Sequence, residues 1–221
     1  MKPLVIAIDG PSGVGKGTVA RALAAELGYQ HVDSGAMYRA VGWKALQLGV
    51  PLEREDAVAA IASGSTIEVS ATMVAIDGHD VTRAIRTPEI DKAAAAVARL
   101  PKVRTILVER QRAMGESGGI VMEGRDIGTV VFPHADLKLY LDASAEERAR
   151  RRANDPAHSG PVALAEVATA LKERDRSDST RAASPLYAAA DAIVIDTTHA
   201  AVPEVVAQVM SIVRRTLAGE R

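Results

Sequence analysis

Short apolar runs rich in valine and isoleucine alternate along the chain with longer stretches in which apolar residues recur every three or four positions. The runs read as buried strands and the stretches as amphipathic helices, because side chains alternate across a strand but return to one helix face after about 3.6 residues. This pattern predicts strands at 4–8, 30–33, 120–123, 137–141 and 192–195. Helices are predicted at 16–27, 36–48, 54–62, 102–114, 145–153, 162–175 and 202–217, with Gly28 placed to end the first. Such alternation builds βαβ units, so the expected fold is α/β, a three-layer arrangement with a central five-stranded parallel sheet. Between 65 and 86 the rhythm breaks. Thr66-Ile67-Glu68-Val69 and Val74-Ala75-Ile76 read as short strands and Asp77-Gly78 as a hairpin turn, which predicts a small antiparallel insertion. Residues 154–161 hold two prolines, a glycine and a serine and read as a mobile connection.

Composition narrows the function classes. A chain of 221 residues, 48% hydrophobic and 25% charged, is ordinary for a globular protein with one sizeable core. Its net charge of −1 argues against a general nucleic-acid binder, which would be basic overall. No apolar stretch approaches the roughly 18 residues of a membrane-spanning helix, and the first apolar run is shorter than a signal-peptide core of roughly 7–15. The expectation is a cytoplasmic protein with neither membrane nor nucleic-acid partner. Without cysteine, disulfides and thiol catalysis are excluded.

The chemistry begins at Gly10-Pro11-Ser12-Gly13-Val14-Gly15-Lys16-Gly17-Thr18, between the first strand and the first helix. Glycines at this spacing let successive backbone N–H groups converge on phosphate oxygens, the helix N-terminus adds partial positive charge, and Lys16 reaches the outer phosphates. These nine residues predict a P-loop for ATP. Gly17 stands where such loops usually carry the Ser or Thr that ligates magnesium, and the Gly-Lys-Gly-Thr ending resembles nucleoside monophosphate kinases, in which phosphates and water largely hold the metal. Selection of guanine would call for an Asn-Lys-x-Asp element, and the single asparagine, Asn154, precedes Asp155.

Four further clusters bear polar groups. Asp33-Ser34-Gly35-Ala36-Met37-Tyr38-Arg39 follows the second strand, at the sheet edge where open α/β folds bind ligands, although Ser34 is equally well placed to cap a helix. Glu123-Gly124-Arg125-Asp126-Ile127-Gly128-Thr129 follows the third strand, and Glu123 is the candidate for orienting Mg2+ through a water. Pro101-Lys102-Val103-Arg104 opens a helix. Arg148, Arg151 and Arg152 share a helix face before the 154–161 connection, as a phosphate-closing lid would require, while Glu147 offers Arg151 a local partner; Arg174, Asp178 and Arg181 follow.

Taken together these motifs resemble the bacterial cytidylate kinase family nearly end to end. The resemblance implies one P-loop kinase domain over 1–221, with a monophosphate-binding insertion at 64–100 and a lid at 148–161. It implies transfer of the γ-phosphoryl of ATP to CMP or dCMP with Mg2+, by a monomer. Lys16, Arg148, Arg151 and Arg152 would act on the transferring group. Ser34, Arg104, Asp126 and Arg181 would face cytosine, Arg174 and Asp178 the sugar, and Arg39 and Arg125 the acceptor phosphate, with Tyr38 beside them. Family members often carry a serine before Pro-x-Val-Arg, which Ala93–Ala96 does not supply. Cytosine fits this set, since its N4 amino group donates while N3 and O2 accept, and uracil reverses the pattern at position 4. Two other readings stay open: a P-loop kinase for UMP or another small molecule, and a regulatory module that binds ATP without catalysis.

Overall fold

The computed structural model describes residues 3–154 and 164–218. Its strands are β1 (Val5–Asp9), β2 (Gln30–Asp33), β3 (Ile67–Val69), β4 (Val74–Ile76), β5 (His79–Asp80), β6 (Ile120–Glu123), β7 (Leu137–Asp142) and β8 (Ile193–Asp196). The helices are α1 (Lys16–Leu27), α2 (Ser34–Gln47), α3 (Glu55–Gly64), α4 (Pro88–Val97), α5 (Pro101–Met114), α6 (Ala145–Ala153), α7 (Leu164–Thr180) and α8 (Val202–Ala218). Five strands form one parallel sheet in the order β2-β6-β1-β7-β8.

The sheet is apolar on both faces because helices cover both. Along β6, Ile120 and Met122 enter one core with Met37, Leu107 and Ile127, while Val121 enters the other with Ile6, Ile8, Leu23, Leu139 and Leu141. Every strand of the sheet ends on a carboxylate: Asp9, Asp33, Glu123, Asp142 and Asp196. The edge where ligands bind in such folds is therefore lined with negative charge, which the arginines of neighbouring helices offset.

The antiparallel insertion is present as β3-β4-β5, turned by Asp77 and Gly78, both at positive φ (50° and 77°) as a tight two-residue hairpin requires. Two of the elements that differ from the sequence expectation bear on the site. Helix α4 was not predicted, although Ile90, Ala93, Ala94 and Val97 are buried at helical spacing, Pro88 opens the first turn, and the Thr87 hydroxyl accepts the Ile90 N–H at 3.3 Å. Helix α2 starts at Ser34, not 36, and its cap is Asp33, whose carboxylate accepts the Ala36 N–H at 3.1 Å; Ser34 instead donates to the Glu123 carbonyl at 2.7 Å. The connection predicted at 154–161, and with it half of the lid expected at 148–161, lies outside the described residues apart from Asn154. Among the described residues no helix is long and apolar enough to cross a membrane.

Candidate active site

The P-loop leaves β1 through Gly10, where φ is 146° and a Cβ would lie 2.1 Å from the Leu141 carbonyl oxygen, so only glycine lets the chain turn there against β7. Gly13 and Gly15 are also at positive φ (85° and 92°), the left-handed backbone with which successive N–H groups form an anion-binding nest. Lys16 is buried and donates to the Pro11 carbonyl at 2.7 Å. Burial, helped by the positive charge of Arg125, lowers its pKa from 10.5 to about 7. The phosphates of a bound nucleotide would restore its proton. ATP binding at pH 7 is thus expected to take up about half a proton, measured as the dependence of calorimetric heat on buffer ionisation enthalpy; zero uptake would contradict this.

At the mouth of the loop Glu123 and Gly17 meet. A Cβ on residue 17 would sit 2.8 Å from Glu123 Oε1, so the missing side chain makes room for the carboxylate that ends β6. The donor set fits a magnesium ion held chiefly by phosphates and water, with Glu123 the protein group at hand. His31, not anticipated from sequence, is buried beside it, with Nε2 3.4 Å from Glu123 Oε1.

Across a cleft of about 630 Å3 lies a floor of arginine and aspartate. Asp126 is buried between Arg104, in direct contact, and Arg181 Nη2 at 3.5 Å. The Arg104 guanidinium lies 5.4 Å from the Tyr38 ring centre, and its Nε, although buried, has no hydrogen-bond partner. Arg125 donates to Asp178 Oδ2 at 2.9 Å. Burial opposes ionisation of Asp178, but Arg125, Arg174 and Arg181 together hold its carboxyl below the usual range. Desolvation, with the nearby charges of Arg125 and Arg39, lowers Arg174 to about 10. So large a positive cluster is a site built for an anion.

Two charged residues that brace this floor were missed in the sequence. Arg86 bonds Asp33 Oδ2 at 3.2 Å, and Asp91 gathers Arg39, Arg152 and Arg174. Of the three lid arginines, Arg151 and Arg152 line the cleft, whereas Arg148 lies behind the P-loop, bonded to the Ser12 carbonyl at 3.3 Å and paired with Asp175. Arg151 pairs with Glu147 at 2.7 Å, as its spacing suggested, and also reaches Thr197 Oγ1 at 3.0 Å and the Val14 carbonyl at 3.3 Å. Gly10 and Pro11 shape the loop from outside the cleft, Ser12 to Thr18 line it, and Ser34 and Arg39 line the opposite side.

Two anion sites opening into one cleft, one of them a P-loop, define a phosphotransferase in which a nucleotide gives a phosphoryl group and a second anionic molecule takes it. The chain belongs to the cytidylate kinase family, whose model matches residues 6–215. It is similar to cytidylate kinases of Desulfitobacterium hafniense (strain Y51) and Pelotomaculum thermopropionicum, each 49% identical, over 96% and 98% of this chain and 93% and 97% of theirs. Among solved structures a gluconokinase from Sinorhizobium meliloti 1021 shares the fold, with a TM-score of 0.53 at 13% identity over 97% of this chain and 93% of its own.

Proposed function

We propose that this cleft transfers the γ-phosphoryl group of ATP to CMP or dCMP, giving ADP and CDP or dCDP, with the residues below in the roles assigned. The observation that carries the base assignment is Asp126 buried between two arginines, with a third polar group, Arg104 Nε, left without a partner. A carboxylate accepts from the cytosine N4 amino group and guanidinium groups donate to N3 and O2. Ser34 supports the floor of that base site. Arg174 and Asp178 take the sugar, and Arg39 and Arg125 the acceptor phosphate, with Tyr38 packed alongside.

The acceptor needs no general base, because a phosphomonoester with a second pKa near 6 is largely ionised at pH 7. What the protein supplies is position and positive charge. The P-loop amides and Lys16 hold the donor phosphates, and Arg151 and Arg152 approach the transferring group from α6 while Arg148 braces the loop. Magnesium, bound beside Glu123, would neutralise phosphate charge and orient the donor. Residues 64–100 serve as the monophosphate-binding insertion and 148–161 as the lid, which excludes water from the transfer. In this reading the protein acts as a monomer in the cytoplasm.

A coupled assay of ADP release against CMP, dCMP, UMP, AMP and GMP tests the reading. CMP and dCMP are expected to give the highest kcat/KM. A preference for UMP would move the protein to a different acceptor, and ATP turnover indifferent to every monophosphate would point to the regulatory module.

A further inference from the structure

Asp91 has no part in the scheme above, although three of its arginines converge there. Its Oδ1 accepts from Arg39 Nε at 3.2 Å and lies 3.4 Å from Arg174 Nη1, while Arg152 pairs with Oδ2. Those arginines stand on α2, α7 and α6, and Asp91 itself on α4, within the insertion. Ringed by guanidinium groups, a carboxylate offers much the same charge and pair of acceptor oxygens as one face of a phosphate. The lid helix is thereby tied to the insertion by a side chain that imitates a substrate group.

We propose that Asp91 is a positioning residue, an internal anion that keeps Arg152 away from the donor phosphates until the acceptor arrives and its phosphate claims Arg39 while its sugar claims Arg174. The inference rests on the kinase reading. An arriving dianion repels the carboxylate and competes for its partners, so the tie to α6 loosens only when an acceptor is present. With the acceptor absent, a parked Arg152 leaves the γ-phosphoryl group poorly served. Wasteful hydrolysis is then held down: water does not displace ADP, and inorganic phosphate and a proton are not released.

Asp91→Asn keeps the side chain's shape and removes its charge. Without CMP, ATP hydrolysis by this variant is expected to rise about tenfold, while transfer to saturating CMP stays within about threefold of the parent. Asp91→Glu, which restores the charge, should return hydrolysis toward the parent rate. Unchanged hydrolysis in Asp91→Asn, or a parallel fall in hydrolysis and transfer, would overturn the proposal. If the Asn variant does not fold, the parent protein decides: CMP alone should speed amide hydrogen exchange in α6, and equal or slower exchange would overturn the idea. A parent that makes no CDP at all would instead sink the kinase reading.

Discussion

Lys16→Met is expected to slow phosphoryl transfer by about 10²- to 10³-fold while raising the melting temperature by several degrees. The loss follows from removing a charge aimed at the transferring group in a water-excluded site, where one such donor is worth roughly 3–4 kcal/mol. The gain follows from burial. With its pKa brought down to about 7 from 10.5, Lys16 costs the nucleotide-free protein stability whenever it is charged. Methionine fills similar volume without that cost, and for a chain of this size each 1 kcal/mol moves the melting point by about 2–4 °C. The sign can be checked by pH. Between pH 7 and 10.5 the unfolded chain holds the Lys16 proton that the folded chain has released, so parental stability rises with pH and the gap between the two proteins narrows. A variant with parental turnover would remove Lys16 from the mechanism, and one that melts earlier would make it structural.

Asp126→Asn should lower the ratio of kcat/KM for CMP over UMP by about 5- to 150-fold, since a good base-edge pair is worth roughly 1–3 kcal/mol of discrimination. Most of the change is expected as lost CMP activity, because Arg104 and Arg181 remain arranged for cytosine's acceptors. An amide can turn a donor toward the uracil O4, so UMP should fare relatively better. The same substitution strips the counter-charge from two buried guanidinium groups, and breaking such a pair costs about 3–5 kcal/mol. A lower melting point should therefore accompany the altered ratio. Loss of activity with an unchanged ratio would refute base reading by Asp126. Asp126 is not needed merely to hold Arg125, because Asp178 binds that arginine at 2.9 Å.

Much of this architecture was legible because it is written locally. The P-loop glycines, the five strands and the Asp77-Gly78 turn each announce themselves within a few residues. Asp91 was illegible for the opposite reason. It lies on a helix that was not predicted, and its significance depends on arginines 52, 61 and 83 positions away. His31 reads as part of a strand, and only the parallel pairing of β2 with β6 brings it to Glu123. Helical spacing sets Arg148 with Arg151 and Arg152, and only the packing of α6 against Gly13 shows that its own contacts are the Ser12 carbonyl and Asp175.

Asp9 ends β1 just before the P-loop, and its two oxygens accept the N–H groups of Ile127 and Gly128 at 2.8 and 2.7 Å, directly after Asp126. Burial raises its pKa to about 6, so the ionised form that makes both bonds at neutral pH is held at a cost in stability. In return, the P-loop and the loop that carries Asp126 are tied into one unit. The spacing between giver and taker is inherited from the sheet, and whatever motion the catalytic cycle requires is left to the walls around it.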